Sequence, residues 1–115
     1  MTDETPEDLS RSAKGEPFVH VPGGIDDPTV AAVFRAFFTG DRLQAMPAKR
    51  GKRLIGLDRI ARSFEPGVRY PEAQVNVILG AVHPDYAMLR RYLVDEQFLS
   101  RDHGVYWRIG GSVDV

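Results

Sequence analysis

Residues 81–109, "AVHPDYAMLRRYLVDEQFLSRDHGVYWRI", constrain the fold more tightly than any other stretch of the chain. Pro84 prevents a helix from running on through the His83–Pro84 junction, because its ring removes a donor and clashes with the preceding turn. Beyond the break, Tyr86, Leu89 and Leu93 cluster within about 60° at 100° per residue, which predicts a helix over about 84–97. His83 and Asp85 are read as its cap. Two short β-prone runs follow, "FLSR" and "VYWRI". They are joined by Asp102–His103–Gly104, where glycine supplies the positive φ that a hairpin requires. Tyr106 and Trp107 alternate in facing, so one caps the core and the other is half exposed.

Upstream, "YPEAQVNVILGAV" starts a short helix with Pro71 in its first turn and Glu72 beside its positive end. Val75, Ile78, Leu79 and Val82 face inward; Glu72 and Asn76 are read as exposed polar residues. "DPTVAAVFRAFFTG" carries Asp27 as N-cap, Pro28 at the first helical position and an apolar stripe of Val30, Val33, Phe34, Phe37 and Phe38. It reads as a helix over about 28–38, stopped by Gly40. "AKRGKRLIGLDRIARSFEPG" reads as a helix over about 48–64, followed by a short extended piece at Val68–Tyr70.

The resulting fold class is mainly α with a small β-hairpin: a winged helix–turn–helix preceded by one extra helix, in a domain spanning residues 27–110. In that geometry the helix after the turn enters the major groove and the hairpin lies along the backbone. Residues 1–26 are polar and acidic and read as a disordered tail and linker, with a brief extended piece at Phe18–Val21. Residues 111–115 read as a flexible C-terminus.

The 115 residues suffice for one modest core. The absence of cysteine excludes disulfides and thiolate metal sites. No stretch approaches the roughly 18 apolar residues of a membrane span, and the N-terminus has no apolar signal core, so a soluble cytoplasmic protein is expected. A net charge of −1 conceals a balance of −5 over residues 1–41 and +4 over residues 42–115. A basic body points to an anionic partner.

On the wheel of the 84–97 helix, Arg91 lies opposite Tyr86, Leu89 and Leu93. Ala87, Met88 and Arg91 would reach base edges, and the arginine fork matches guanine O6 and N7. Arg90, at the edge of the core face, would take a phosphate or an internal carboxylate. Lys49, Arg50, Lys52 and Arg53 crowd a helix start, where cations oppose the dipole and repel one another, so an anionic partner would explain them. In the hairpin, Arg101, His103 and Arg108 are candidates for phosphates. Duplex DNA is the partner these residues point to. The alternative is a protein-interaction module that forms a homodimer through Phe34, Phe37 and Phe38 without sequence-specific DNA contact.

Enzyme readings find no purchase. There is no Gly-rich phosphate loop and no nucleophile elbow. His83 and Asp85 stand at the opposite end of a helix from His103, which argues against one shared metal site. No cofactor and no metal are expected.

The run "PAKRGKR" at Pro47–Arg53, "RYPEAQVN" at Arg69–Asn76 and "DYAMLRRYLVDEQFLSRDHGVYWR" at Asp85–Arg108 resemble the bacterial family catalogued as domain of unknown function 2087. The likeness covers roughly Phe37–Arg108. It implies a winged helix and an association with transcription regulation, because members are often fused to an upstream helix–turn–helix of the arsenic-repressor type. Residues 1–26 are too short and polar to be such a second domain, so a stand-alone form is expected.

Overall fold

The computed structural model describes residues 27–112. The expectations for residues 1–26, including Phe18–Val21, and for residues 113–115 lie outside the described residues. Helix α1 spans Pro28–Phe37. Asp27 caps it, its carboxylate accepting from the Thr29 N–H at 2.8 Å. Its Val30 and Val33 bury against Ile55. The chain leaves α1 extended at Phe38, where β1 (Phe38–Thr39) begins, and reverses through Gly40 at φ 60° into β2 (Arg42–Leu43). Phe38 pairs with Leu43 and Thr39 with Arg42.

Helix α2 spans Arg50–Ala61, strand β3 Arg69–Pro71, helix α3 Glu72–Gly80 and helix α4 Tyr86–Asp95. Strands β4 (Leu99–Asp102) and β5 (Val105–Arg108) follow. An antiparallel sheet forms in the order β3-β5-β4. The core fills the space between sheet and helices with Leu57, Phe64, Val75, Leu79, Leu89, Leu93, Phe98 and Tyr106. The sheet's other face carries Trp107, half-buried, with the Arg69 guanidinium 4.2 Å from its ring centre.

The described residues form a small α+β domain of four helices and five strands in two antiparallel sheets, not a mainly α helix–turn–helix with a single hairpin. Two segments account for the difference. Thr39–Leu43, read as the end of a helix and a loop, folds back on itself, because Gly40 supplies the left-handed residue of a tight reversal. Arg69–Pro71, where only a short extended piece at Val68–Tyr70 was expected, adds a third strand to the hairpin, with Tyr70 opposite Tyr106. Pro71 can occupy this strand because β3 is an edge, where no donor is needed.

The hairpin turn is shorter than the three residues expected. Asp102 pairs with Val105, so the loop is His103–Gly104, with φ 51° and 77°, the signature of a two-residue turn matched to strand twist. Tyr86, expected on the core face, is 40% exposed. Among the described residues no helix is long and apolar enough to cross a membrane.

Beyond β5 the chain is held rather than free as far as Ser112. The buried Arg108 donates from Nε to the Gly110 carbonyl at 2.9 Å, from Nη1 to the Phe64 carbonyl at 3.3 Å, and from Nη2 to the Ser112 carbonyl. The Ser112 N–H donates to the buried Asp58 carboxylate at 2.5 Å. A Cβ on Gly110 would overlap the Gln97 carbonyl oxygen, and Gly111 has φ 92°. Gly111, placed in the flexible C-terminus by sequence, is buried.

Candidate nucleic-acid interface

The geometry of α4 is set at its start. The His83 Nδ1 accepts from the Asp85 N–H at 2.9 Å, and the Asp85 carboxylate accepts from the Met88 N–H at 3.1 Å. This cap fixes the phase of the helix. Leu89 and Leu93 are fully buried, and Ala87 and Arg91 therefore point outward. The Arg91 side chain is 84% exposed and has a single weak partner, Asp95 one turn on at 3.6 Å. An exposed i,i+4 pair of this kind contributes only about 0.3–0.5 kcal/mol and does not immobilise the guanidinium.

Between α4 and the hairpin lies an open groove of about 400 Å³. Ala87, Arg90, Arg91 and Val94 form one bank, and Arg101 with Tyr106 forms the other. Arg101 stands on β4 with its guanidinium 5.7 Å from the Tyr106 ring centre and its side chain exposed. Three guanidiniums thus face one groove against one carboxylate, that of Asp95. A second hollow of about 400 Å³ lies along α4, lined by Met88, Arg91, Tyr92 and Asp95, so Arg91 stands on the ridge between the two.

The neighbouring polar residues tie the elements together. Arg90 donates from Nη1 to the Asn76 side-chain oxygen on α3. The Tyr106 hydroxyl donates to Glu72 at 2.9 Å. Burial first, and the bond to Glu72 second, raise the Tyr106 phenol above its ordinary pKa, so it remains a neutral donor. Glu72 and Asn76 are half-buried and bonded, not the free surface residues expected from sequence.

The basic run at the start of α2 divides in two. Arg50 makes a two-point ion pair with Glu96, the residue that ends α4: Nη2 donates to Oε1 at 2.7 Å and Nε to Oε2 at 3.0 Å. Arg53 donates to the Ala48 carbonyl at 2.9 Å, lies over the Tyr92 ring at 5.2 Å and comes within 3.9 Å of Glu96. The Glu96 side chain is only 13% exposed, and the hydrogen bond from Arg50 lowers its pKa below the ordinary carboxylate value. The Lys49 and Lys52 side chains are exposed and make no hydrogen bond or ion pair with another described residue. The cost of gathering these cations is thus answered within the fold for Arg50 and Arg53. Their anionic partner is internal and stands 46 residues away from Arg50.

Of the remaining sequence candidates, His103 sits at the hairpin tip, 92% exposed, with Nδ1 2.7 Å from Asp102. Met88 is half-buried, and Arg108 is committed to the core. Phe38 is buried, and Phe34 packs edge-on against it beneath Arg59, so this aromatic trio belongs largely to the α1–α2 contact. Among the described residues no group of three or more His, Asp or Glu could hold a metal ion. The described residues 27–112 hold thirteen Lys and Arg against nine acids, a net of +4. Sequence reasoning missed Glu96 as the group that neutralises Arg50, and Tyr106 as a wall of the groove.

No curated protein and no solved structure matches the chain. The match to a family begins at β2 and ends with β5, leaving α1, β1 and the Gly110–Ser112 clamp outside it. Residues 42–108, more than half of the chain, match the family described as an uncharacterized protein conserved in bacteria, DUF2087, and the protein belongs to that family.

Proposed function

We propose that this domain binds duplex DNA, with α4 laid along the major groove, and that it serves transcription regulation. The observation that carries the reading is the exposed Arg91 on the ridge of α4, beside a groove whose opposite bank presents Arg101. An α-helix with its side chains is about 10–12 Å across and fits a major groove about 12 Å wide. Arg91 then reaches base edges. Arg101 and the unpartnered Lys49 and Lys52 take phosphates.

Four phosphate contacts give a slope of log K against log salt of about −3.6, so raising salt from 50 to 200 mM weakens binding about 150-fold. Fluorescence anisotropy of a labelled random-sequence duplex at these two salt concentrations tests this. No binding at 50 mM salt would discard the reading. The second reading is a protein-docking module. Val77, 74% exposed on α3, favours it, and a duplex-binding failure would leave it standing.

A further inference from the structure

The Arg50–Glu96 pair has an arrangement that bears on how strongly the proposed surface attracts phosphate. Arg50 lies outermost, its side chain 67% exposed, over a Glu96 side chain only 13% exposed. An approaching phosphate would meet a guanidinium whose charge is already matched from below. Further cations stand at the same end of α2: Arg53 at 3.9 Å from Glu96, Lys49 as the N-terminal flanking residue of the helix, and Lys52 in its first turn. Lys49 supplies no side-chain cap, so the first N–H groups of α2 add a further positive end beside the same carboxylate. The start of α2 thus favours an anion, and Glu96 supplies one from within the chain.

We propose that Glu96 sets the strength and the salt dependence of backbone binding by holding Arg50 out of the phosphate-contacting set. The inference rests on the DNA-binding reading above. While the pair is intact, Arg50 contributes no net charge to the duplex. Removing the Glu96 charge returns one cation to a position between Lys49 and Lys52. The two α2 lysines and Arg50 would then form a continuous positive edge leading from α2 towards the end of α4.

The test uses the full chain, a random-sequence duplex and four variants. Glu96→Gln should steepen the salt slope by about 0.9 and tighten binding about ten-fold at 50 mM salt, with a gain of only about three-fold at 200 mM. Glu65→Gln is the control. It makes the same change of net charge beyond the far end of α2, where the Glu65 side chain holds no described residue, and should leave the slope unchanged. Arg50→Ala should barely alter binding in the otherwise unaltered protein, yet abolish the gain when combined with Glu96→Gln. Equal behaviour of Glu96→Gln and Glu65→Gln, or a ten-fold loss from Arg50→Ala alone, would overturn the proposal. Absence of duplex binding in the unaltered protein and in Glu96→Gln alike would instead bring down the DNA-binding reading itself. Thermal unfolding of each variant separates these outcomes from loss of the fold.

Discussion

Tyr106 on β5 and Glu72 in the first turn of α3 are joined by a 2.9 Å hydrogen bond in which the phenol is the donor. The bond crosses from the sheet to a helix whose N-terminal dipole also favours the carboxylate. Tyr106→Phe keeps the buried ring and removes the donor, and should cost about 0.5–1.5 kcal/mol in urea unfolding. The sign with pH follows from the raised phenol pKa in the folded protein. The contribution is complete below the unfolded tyrosine value of about 10 and is lost as pH rises from there through the folded value. The gap between the two proteins should therefore be flat at neutral pH and close in alkaline solution.

Glu96 titrates in the opposite sense. Its folded pKa is lowered, first by the hydrogen bond from Arg50. The ion pair's contribution is present above the unfolded carboxylate value, about 4.3, and is lost as pH falls through the folded value. The stability difference between the unaltered protein and Glu96→Gln should be greatest above about pH 5 and vanish in acid. Trp107 is the single tryptophan and gives the fluorescence signal for both titrations.

Truncations on α4 should separate its two faces. Leu89→Ala and Leu93→Ala each remove a fully buried side chain and should cost about 2–5 kcal/mol. Arg91→Ala should stay within about 0.5 kcal/mol, because the side chain is exposed. A large loss of stability for Arg91→Ala would assign the arginine to the fold rather than to a ligand.

On DNA, the two groups of cations should fail differently. Lys49→Ala with Lys52→Ala should weaken binding to every sequence alike and flatten the salt slope by about 1.8. Arg91→Ala should cost about 1–3 kcal/mol at a preferred site and little on random duplex. Equal losses on both duplexes would mean that α4 touches backbone alone.

The hairpin tip offers a stabilising change. His103 carries a positive φ before Gly104, at the position where two-residue hairpin turns most favour asparagine. His103→Asn should raise stability by about 0.5 kcal/mol, read as a higher urea midpoint.

Periodicity made the helices legible, because each buries a face at regular spacing: Val30 and Val33, Leu57 and Ala61, Val75 and Leu79, Leu89 and Leu93. The cap at Asp85 and the positive φ of Gly104 were legible for the same local reason. What local pattern could not convey was pairing at a distance. The extended piece at Val68–Tyr70 shows no partner until β5 lies beside it, and Thr39–Leu43 is too short to show alternation. The cationic run misled on the same ground. Like charges at helical spacing read as surplus when the carboxylate that answers them is beyond the window. Of the candidate site, the outward position of Arg91 followed from helix phase, whereas Arg101 on the opposite bank follows from the sheet register.

The clamp at Gly110–Ser112 bears on where this domain can be cut or joined. The family match stops at Arg108, yet that arginine's guanidinium is occupied by carbonyls of the residues just past it. A chain severed at 108 would leave a buried cation facing carbonyls no longer there, and would uncover Phe98 on the side that Gly111 shields. The smallest piece that folds on its own should therefore run through Ser112 and begin no later than Asp27, whose carboxylate caps the first helix. The stretch relatives hold in common and the stretch that physics requires are different lengths of the same chain.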